Sequence, residues 1–520
     1  MRGNRQSRQK ADLRRRIMGW GLHRIAWIVL AIAVAANAEV RLPNILSDHA
    51  VLQRGQPVRV WGWAAPGEQV TVQFHDQQRK DTANAIGAWE IWLMPESAGG
   101  PYVLSVRGSQ TEKPLERSDI LVGDVWVASG QSNMEFPLKG FPNAKLQDGD
   151  KEIANANHPR IRLLLVKRAV SLWPLGDING AWSACTPATA ENFSAVAYFF
   201  GRKISERENV PIGLIDSTWG GTPAQSWISF EGLGVNDLSE VLSDAGTEMR
   251  GQALANETRD NFAAQNTALK TQNKPALTPP RISNYQGAKA PAVLFNGMIA
   301  PLTRYTIKGV IWYQGETDSA PQRAPNYARM FSSLITDWRG QWGEGDFPFL
   351  FVQISSFTSH KEIWGQVRDA QRRVLALRNT GMAVSLDVGD PTNVHPADKQ
   401  TVGARLAFSA LGSAYGEAGN YAAPEFLETT VEEGAMRLWL LHAEGLTARD
   451  KKLGDFELAG DDHNFKPADA KIDTVNKQAT IVVSSADVPH PRYVRYGWSN
   501  VVTHYLYNSA GLPLSTFTTE

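Results

Sequence analysis

Ser132 stands in Gly130-Gln131-Ser132-Asn133-Met134-Glu135, just after the apolar run Ile120–Ala128. A serine at a strand-to-helix turn exposes its hydroxyl beside backbone N–H groups, as a nucleophile requires. Met134 fills the last position of the G-x-S-x-G pattern, so the motif alone equally describes a helix N-cap serine. An attacking serine needs a base, and histidine is the side chain whose ordinary pKa lies nearest neutrality. His395, in Asn393-Val394-His395-Pro396, follows the strand-like Met382–Leu386, whereas His360 lies in a polar loop. Acyl transfer also builds negative charge on a carbonyl oxygen, which N–H donors must already face. Gly220 and Gly221, in Trp219-Gly220-Gly221-Thr222-Pro223, let a backbone N–H approach a substrate, or simply make a tight turn. In Tyr313-Gln314-Gly315-Glu316 the Gln314 amide can donate, or Gln314 and Glu316 form a buried polar pair. Trp219, Trp227, Trp312 and Tyr313 lie near these blocks, either as stacking surfaces for a sugar or as core.

The elements that must position these residues alternate between strand and helix from about residue 118 to 415. Apolar strands are expected at Ile120–Ala128, Ile161–Val166, Ile212–Asp216, Ile307–Tyr313, Phe349–Ile354 and Met382–Leu386. Helical spacing marks Ala195–Arg207, Trp364–Leu377 and Ala397–Leu411. This pattern predicts an α/β domain, a largely parallel sheet with helices on both faces. In such sheets ligands bind beyond the carboxyl ends of the strands, where the chemistry-bearing residues cluster. Residues 237–283 form a polar insertion, read as helical from its Ala, Leu, Glu and Gln content, with a flexible lid as the alternative. Before this domain, residues 39–117 show short alternating strands between Gly/Pro turns, as in Pro57–Trp63 and Val70–Phe74, and predict a small β-sandwich. Residues 416–520 are again β-rich, with runs at Met436–Leu441, Ala479–Ser484 and Val494–Trp498.

Composition narrows the class. The 520 residues are 42% hydrophobic and 20% charged, which excludes a wholly disordered or polytopic membrane chain. Equal numbers of basic and acidic residues, 53 of each, argue against a nucleic-acid partner. The single cysteine, Cys185, permits no intramolecular disulfide. No spacing reads as a metal site, and no cofactor is expected. Residues 1–38 combine eight basic residues, a 12-residue uncharged stretch and Ala36-Asn37-Ala38. They read as a secretory signal peptide, since a spanning helix needs about 20 apolar residues; an uncleaved anchor is the alternative. The expected product is exported, periplasmic or extracellular, with no stable membrane insertion. From Glu39 onward 45 basic and 52 acidic residues remain, a formal charge of −7.

Taken in order, Gly130–Met134, Trp219–Pro223, Trp312–Glu316 and His395-Pro396 resemble the sialate O-acetylesterase family of SGNH hydrolases. Phe465-Lys466-Pro467-Ala468 and Val494–Trp498 are also similar to it, so the likeness spans most of the chain after residue 38. The resemblance implies a flavodoxin-like SGNH core and deacetylation of O-acetylated sugars, sialic acid first. By position it implies Ser132 as nucleophile, His395 as general base, and the Ser132 N–H, Gly220 or Gly221, and Gln314 as the oxyanion hole. Trp219, Trp227, Trp312, Tyr313 and Glu316 become expected substrate contacts. SGNH enzymes commonly carry an aspartate three residues before the histidine, where this chain has Thr392. Asp390 is the expected orienting carboxylate in its place, with Asp387 nearby; a Ser–His dyad is the alternative. An esterase of xylan or another acetylated glycan, and a sugar-binding protein without turnover, stay open.

Overall fold

The computed structural model describes residues 39–235, 238–278, 287–449 and 452–520. The expected signal peptide and the edges of the polar insertion lie outside the described residues. Two compact units emerge. The smaller holds Val60–Leu93 and Leu104–Glu116 with the stretch ending at Leu42; the larger holds Pro43–Arg59, Met94–Val103 and Arg117–Glu520. In the smaller unit Gln69–Phe74 pairs antiparallel with Gln77–Thr82 on one side and with Leu104–Gly108 on the other. Val70, Val72 and Phe74 point inward and the residues between them outward, the period-2 burial of a sheet with one wet face.

The larger unit is built on a central sheet. Its strands are β1 (Leu115–Gly130), β2 (His158–Leu165), β3 (Trp182–Cys185), β4 (Ile212–Thr218), β5 (Gly309–Tyr313), β6 (Phe349–Gln353) and β7 (Thr380–Val384), in the spatial order β7-β6-β5-β1-β4-β2-β3. Neighbours run parallel except β3, which returns antiparallel to β2. Every residue of β4, β5 and β6 is buried, as continuous apolar runs in a sheet covered on both faces should be.

Helices of this unit include α1 (Ser132–Glu135), α2 (Ala195–Glu208), α3 (Ser239–Thr271), α4 (Tyr327–Trp342), α5 (Trp364–Arg373) and α6 (Lys399–Ser413). α2 and α6 pack so closely that a Cβ on Gly403 would press on Phe199. The polar insertion is helical over Ser239–Thr271, where α3 runs for 33 residues, and leaves the helix after Thr271. α4 has no counterpart among the expected helices. It buries Phe331 and Trp338 against Trp312, and Trp227 meets Trp312 edge-on at 6.1 Å. The β-rich C-terminal stretch forms a seven-stranded antiparallel sheet around Leu438, Ile481, Val483, Tyr496 and Phe517, within the same compact unit as the central sheet. No helix among the described residues is long and apolar enough to cross a membrane.

Candidate active site

The carboxyl ends of three strands stop level with one another. Gly130 of β1 is in register with Thr218 of β4 and with Tyr313 of β5. Gly130 has φ of 134°, and a Cβ there would overlap the Tyr313 carbonyl oxygen, so glycine alone fits. The chain then turns into α1 with Gln131, not Ser132, at the N-cap. The Ser132 hydroxyl is therefore not spent on capping, and it meets His395 Nε2 at 2.9 Å. Both residues are half-buried. A neutral imidazole that accepts at Nε2 carries its proton on Nδ1. Nδ1 is buried and has no hydrogen-bond partner among the described residues. The Phe141 ring lies 5.1 Å from the imidazole and the Phe136 ring 6.4 Å. Burial first, and the Lys399 charge second, hold the His395 pKa below its ordinary value.

Several expected site residues stand elsewhere. Asp390 does not orient His395: its Oδ1 accepts from the Thr392 N–H at 2.8 Å and the Thr392 hydroxyl at 2.7 Å, closing a local turn. Asp387 is held by Arg405 through two bonds of 2.6 and 2.7 Å. Gln314 is not an available oxyanion donor, because its amide N–H groups go to Asp318 Oδ2 at 2.5 Å and the Thr222 carbonyl at 3.2 Å. Gln314 instead ties β5 to the glycine turn. Trp227, Trp312 and Tyr313 are fully buried and cannot stack on a sugar. Their adjacency to the motifs reflects the strand and turn that carry them into the core. Glu316 is buried too, with burial raising its pKa, and faces Asn133 rather than a substrate. Trp219 is half-buried, and the Arg168 guanidinium sits 5.2 Å from its ring centre.

The glycine turn does come to Ser132. A Cβ on Gly220 would lie 3.2 Å from Ser132 Cβ. The Gly220 N–H donates to Glu135 Oε2 at 2.7 Å, and Arg168 pairs with the other Glu135 oxygen. The Ser132 and Gly221 N–H groups have no partner among the described residues. Sequence reasoning missed Asn133, Glu135, Arg168 and Lys399. Asn133 and Glu135 lie inside the motif itself, and Lys399 lies four residues after His395, at the start of α6; nothing in the composition marks them.

This arrangement offers a hydroxyl, an imidazole that can accept its proton and the Ser132 N–H at one point beside the glycine turn, a set able to carry out acyl transfer. A family model described as carbohydrate esterase, sialic acid-specific acetylesterase, matches residues 281–411. The chain is 30% identical to the sialate O-acetylesterase of Mus musculus over 523 residues, 92% of this chain and 93% of that one. The chain belongs to the sialate O-acetylesterase family. The family's Homo sapiens enzyme is likewise 30% identical, with 93% of each chain covered. A solved structure described as a novel carbohydrate acetylesterase from Xanthomonas citri superposes with a TM-score of 0.79 at 36% identity, covering 93% of this chain and all of that one. Membership in the sialate O-acetylesterase family makes this chain an esterase, a hydrolase that acts on acetylated carbohydrate.

Proposed function

We propose that the protein is an exported SGNH-type serine esterase that removes O-acetyl groups from sialic acid. The observation that carries the mechanism is the 2.9 Å contact between Ser132 Oγ and His395 Nε2 at the carboxyl ends of a parallel sheet. His395 takes the Ser132 proton as Oγ attacks the acetyl carbonyl carbon. The oxygen of the tetrahedral intermediate meets the Ser132 and Gly221 N–H groups, and Gly220 joins them once Glu135 releases its N–H. His395 then protonates the leaving sugar oxygen, and acetyl-serine remains. Water, losing a proton to the same imidazole, attacks that ester; acetate leaves and Ser132 recovers its proton. His395 is a dyad base here, since Asp387 and Asp390 are both committed to other partners. Export rests on the basic, apolar and Ala-x-Ala pattern of residues 1–38.

A neutral acetylated glycan such as xylan is the second reading. At the glycine turn the Glu135 carboxylate is paired with Arg168, a charge balance that suits a neutral glycan. The test is acetate release by purified protein from 9-O-acetylated sialic acid and acetylated xylan in parallel. Ser132→Ala and His395→Ala should each lower kcat by at least ~10⁴-fold with unchanged circular dichroism. Near-normal turnover by either folded variant would refute the mechanism, and release from xylan alone would transfer the substrate to the second reading.

A further inference from the structure

Beneath α1 lies a buried cation that the acyl-transfer steps do not use. Lys399, the first residue of α6, is fully buried. Its Nζ donates to Asn133 Oδ1 at 2.6 Å and lies 4.9 Å from the Phe136 ring centre and 5.7 Å from that of Tyr313. Asn133 Nδ2 donates in turn to Glu316 Oε1 at 2.5 Å and to the Val394 carbonyl at 3.0 Å. Asn133 follows the nucleophile in sequence, and Val394 precedes the base. One asparagine thus joins the element carrying Ser132, the loop carrying His395 and the end of β5, and Lys399 holds that asparagine from below. An ammonium removed from water is costly unless it is compensated. Here the compensation is an amide oxygen, two ring faces and, one residue further, the Glu316 carboxylate.

We propose that Lys399 is a positioning residue for the Ser132–His395 pair, a buried charge that opposes protonation of the imidazole and a clamp that sets the nucleophile–base spacing through Asn133. The inference rests on the serine-esterase reading; the charge acts with the opposite sign to a triad carboxylate and keeps the resting imidazole neutral. Charge at this point comes from few groups. Glu316 faces Lys399 from the end of β5, with Asp318 behind it, and Asp398 adjoins Lys399 at the head of α6. Tyr313 and Phe136 present rings, and His395 is faced by Ser132, Phe136, Phe141 and Lys399. Burial pulls the Lys399 pKa down to about 7, against the opposing pull of Glu316 and Asp398. Lys399 is therefore mostly cationic at acid pH, and its charge there favours the neutral form of His395.

The experiment is the pH dependence of kcat/KM for acetate release by the full chain, whose acid limb reports the free base. In the unmodified enzyme the limb should have its midpoint below about 6.5, the ordinary imidazole value. Lys399→Met should move it upward by at least about half a unit, besides lowering the plateau. Lys399→Arg, which keeps the charge, should leave the midpoint near that of the unmodified enzyme. A merely structural lysine would lower the plateau without moving the limb, and a folded Lys399→Met with an unmoved limb overturns the proposal. If Lys399→Met does not fold, Lys399→Gln, neutral yet able to donate to Asn133 Oδ1, replaces it. Its limb should also move upward by at least about half a unit, and an unmoved limb overturns the proposal. Loss of turnover in Ser132→Ala alongside an unmoved Lys399→Met limb would sink this inference and leave the serine mechanism standing.

Discussion

At Gly220 a side chain has no room. A Cβ would lie 2.8 Å from Glu135 Oε2 and 3.2 Å from Ser132 Cβ, so Gly220→Ala must push the turn away from Ser132 or push Glu135 off it. A misplacement of about 1 Å in a catalytic constellation costs on the order of 10²-fold in rate, and the shift needed here is smaller. We expect Gly220→Ala to lower kcat/KM by about 10-fold while the thermal midpoint moves by no more than a few degrees, as steady-state kinetics and calorimetry on one preparation will show. Normal kcat/KM would mean that the turn is not held against Ser132 during turnover. The same residue-by-residue view explains which site members were legible in the chain. Ser132 and His395 sit in short motifs whose chemistry is local, and folding brings them together. Asp390 and Gln314 carry the right groups near the right place, but their polar atoms are taken by Thr392 and Asp318. Chain proximity does not say which way a side chain turns.

Elements were legible where apolar periodicity was strong. β1, β4, β5 and β6 fall on the expected apolar runs, because strands buried on both faces need them. α4 is the exception, absent from the expected helices although its period is written in the chain: Tyr327, Met330, Phe331, Leu334, Ile335, Trp338 and Trp342 recur at helical spacing and are buried. α5 shows how tightly helices are held by the C-terminal sheet region. Its Gly365 faces the Trp498 carbonyl so closely that a Cβ would overlap the oxygen, and Trp364 N–H donates to Asn500 Oδ1 at 3.1 Å. Gly365→Ala forces two backbones apart, an overpacking that costs about 1–3 kcal/mol or more. Urea unfolding should show the midpoint falling with little change in slope. An unchanged midpoint would mean that α5 does not pack on Trp498 in solution.

For the whole molecule, Cys185 is a built-in reporter. It is buried on β3, and burial pushes its thiol pKa up to about 12. At pH 8 only about one thiol in ten thousand is then ionised, and the thiolate is the reactive form. The native chain should resist a thiol reagent at pH 8, and labelling across a urea series should track the loss of tryptophan fluorescence. Labelling well ahead of that transition would show local opening at the β2–β3 edge of the sheet.

The order of residue types along the chain was enough for the α/β alternation, the β-rich flanks, the serine, the histidine and the family likeness, since each is written in local pattern. Tertiary structure alone decided the rest. It took Gln314, Trp227, Trp312 and Tyr313 out of reach of a substrate, left His395 Nδ1 without a carboxylate, and set Lys399 under Asn133. These outcomes depend on where side chains from separate strands and helices meet and on how much water their meeting excludes. Burial and partnership belong to the packed molecule, so no stretch of sequence carries them.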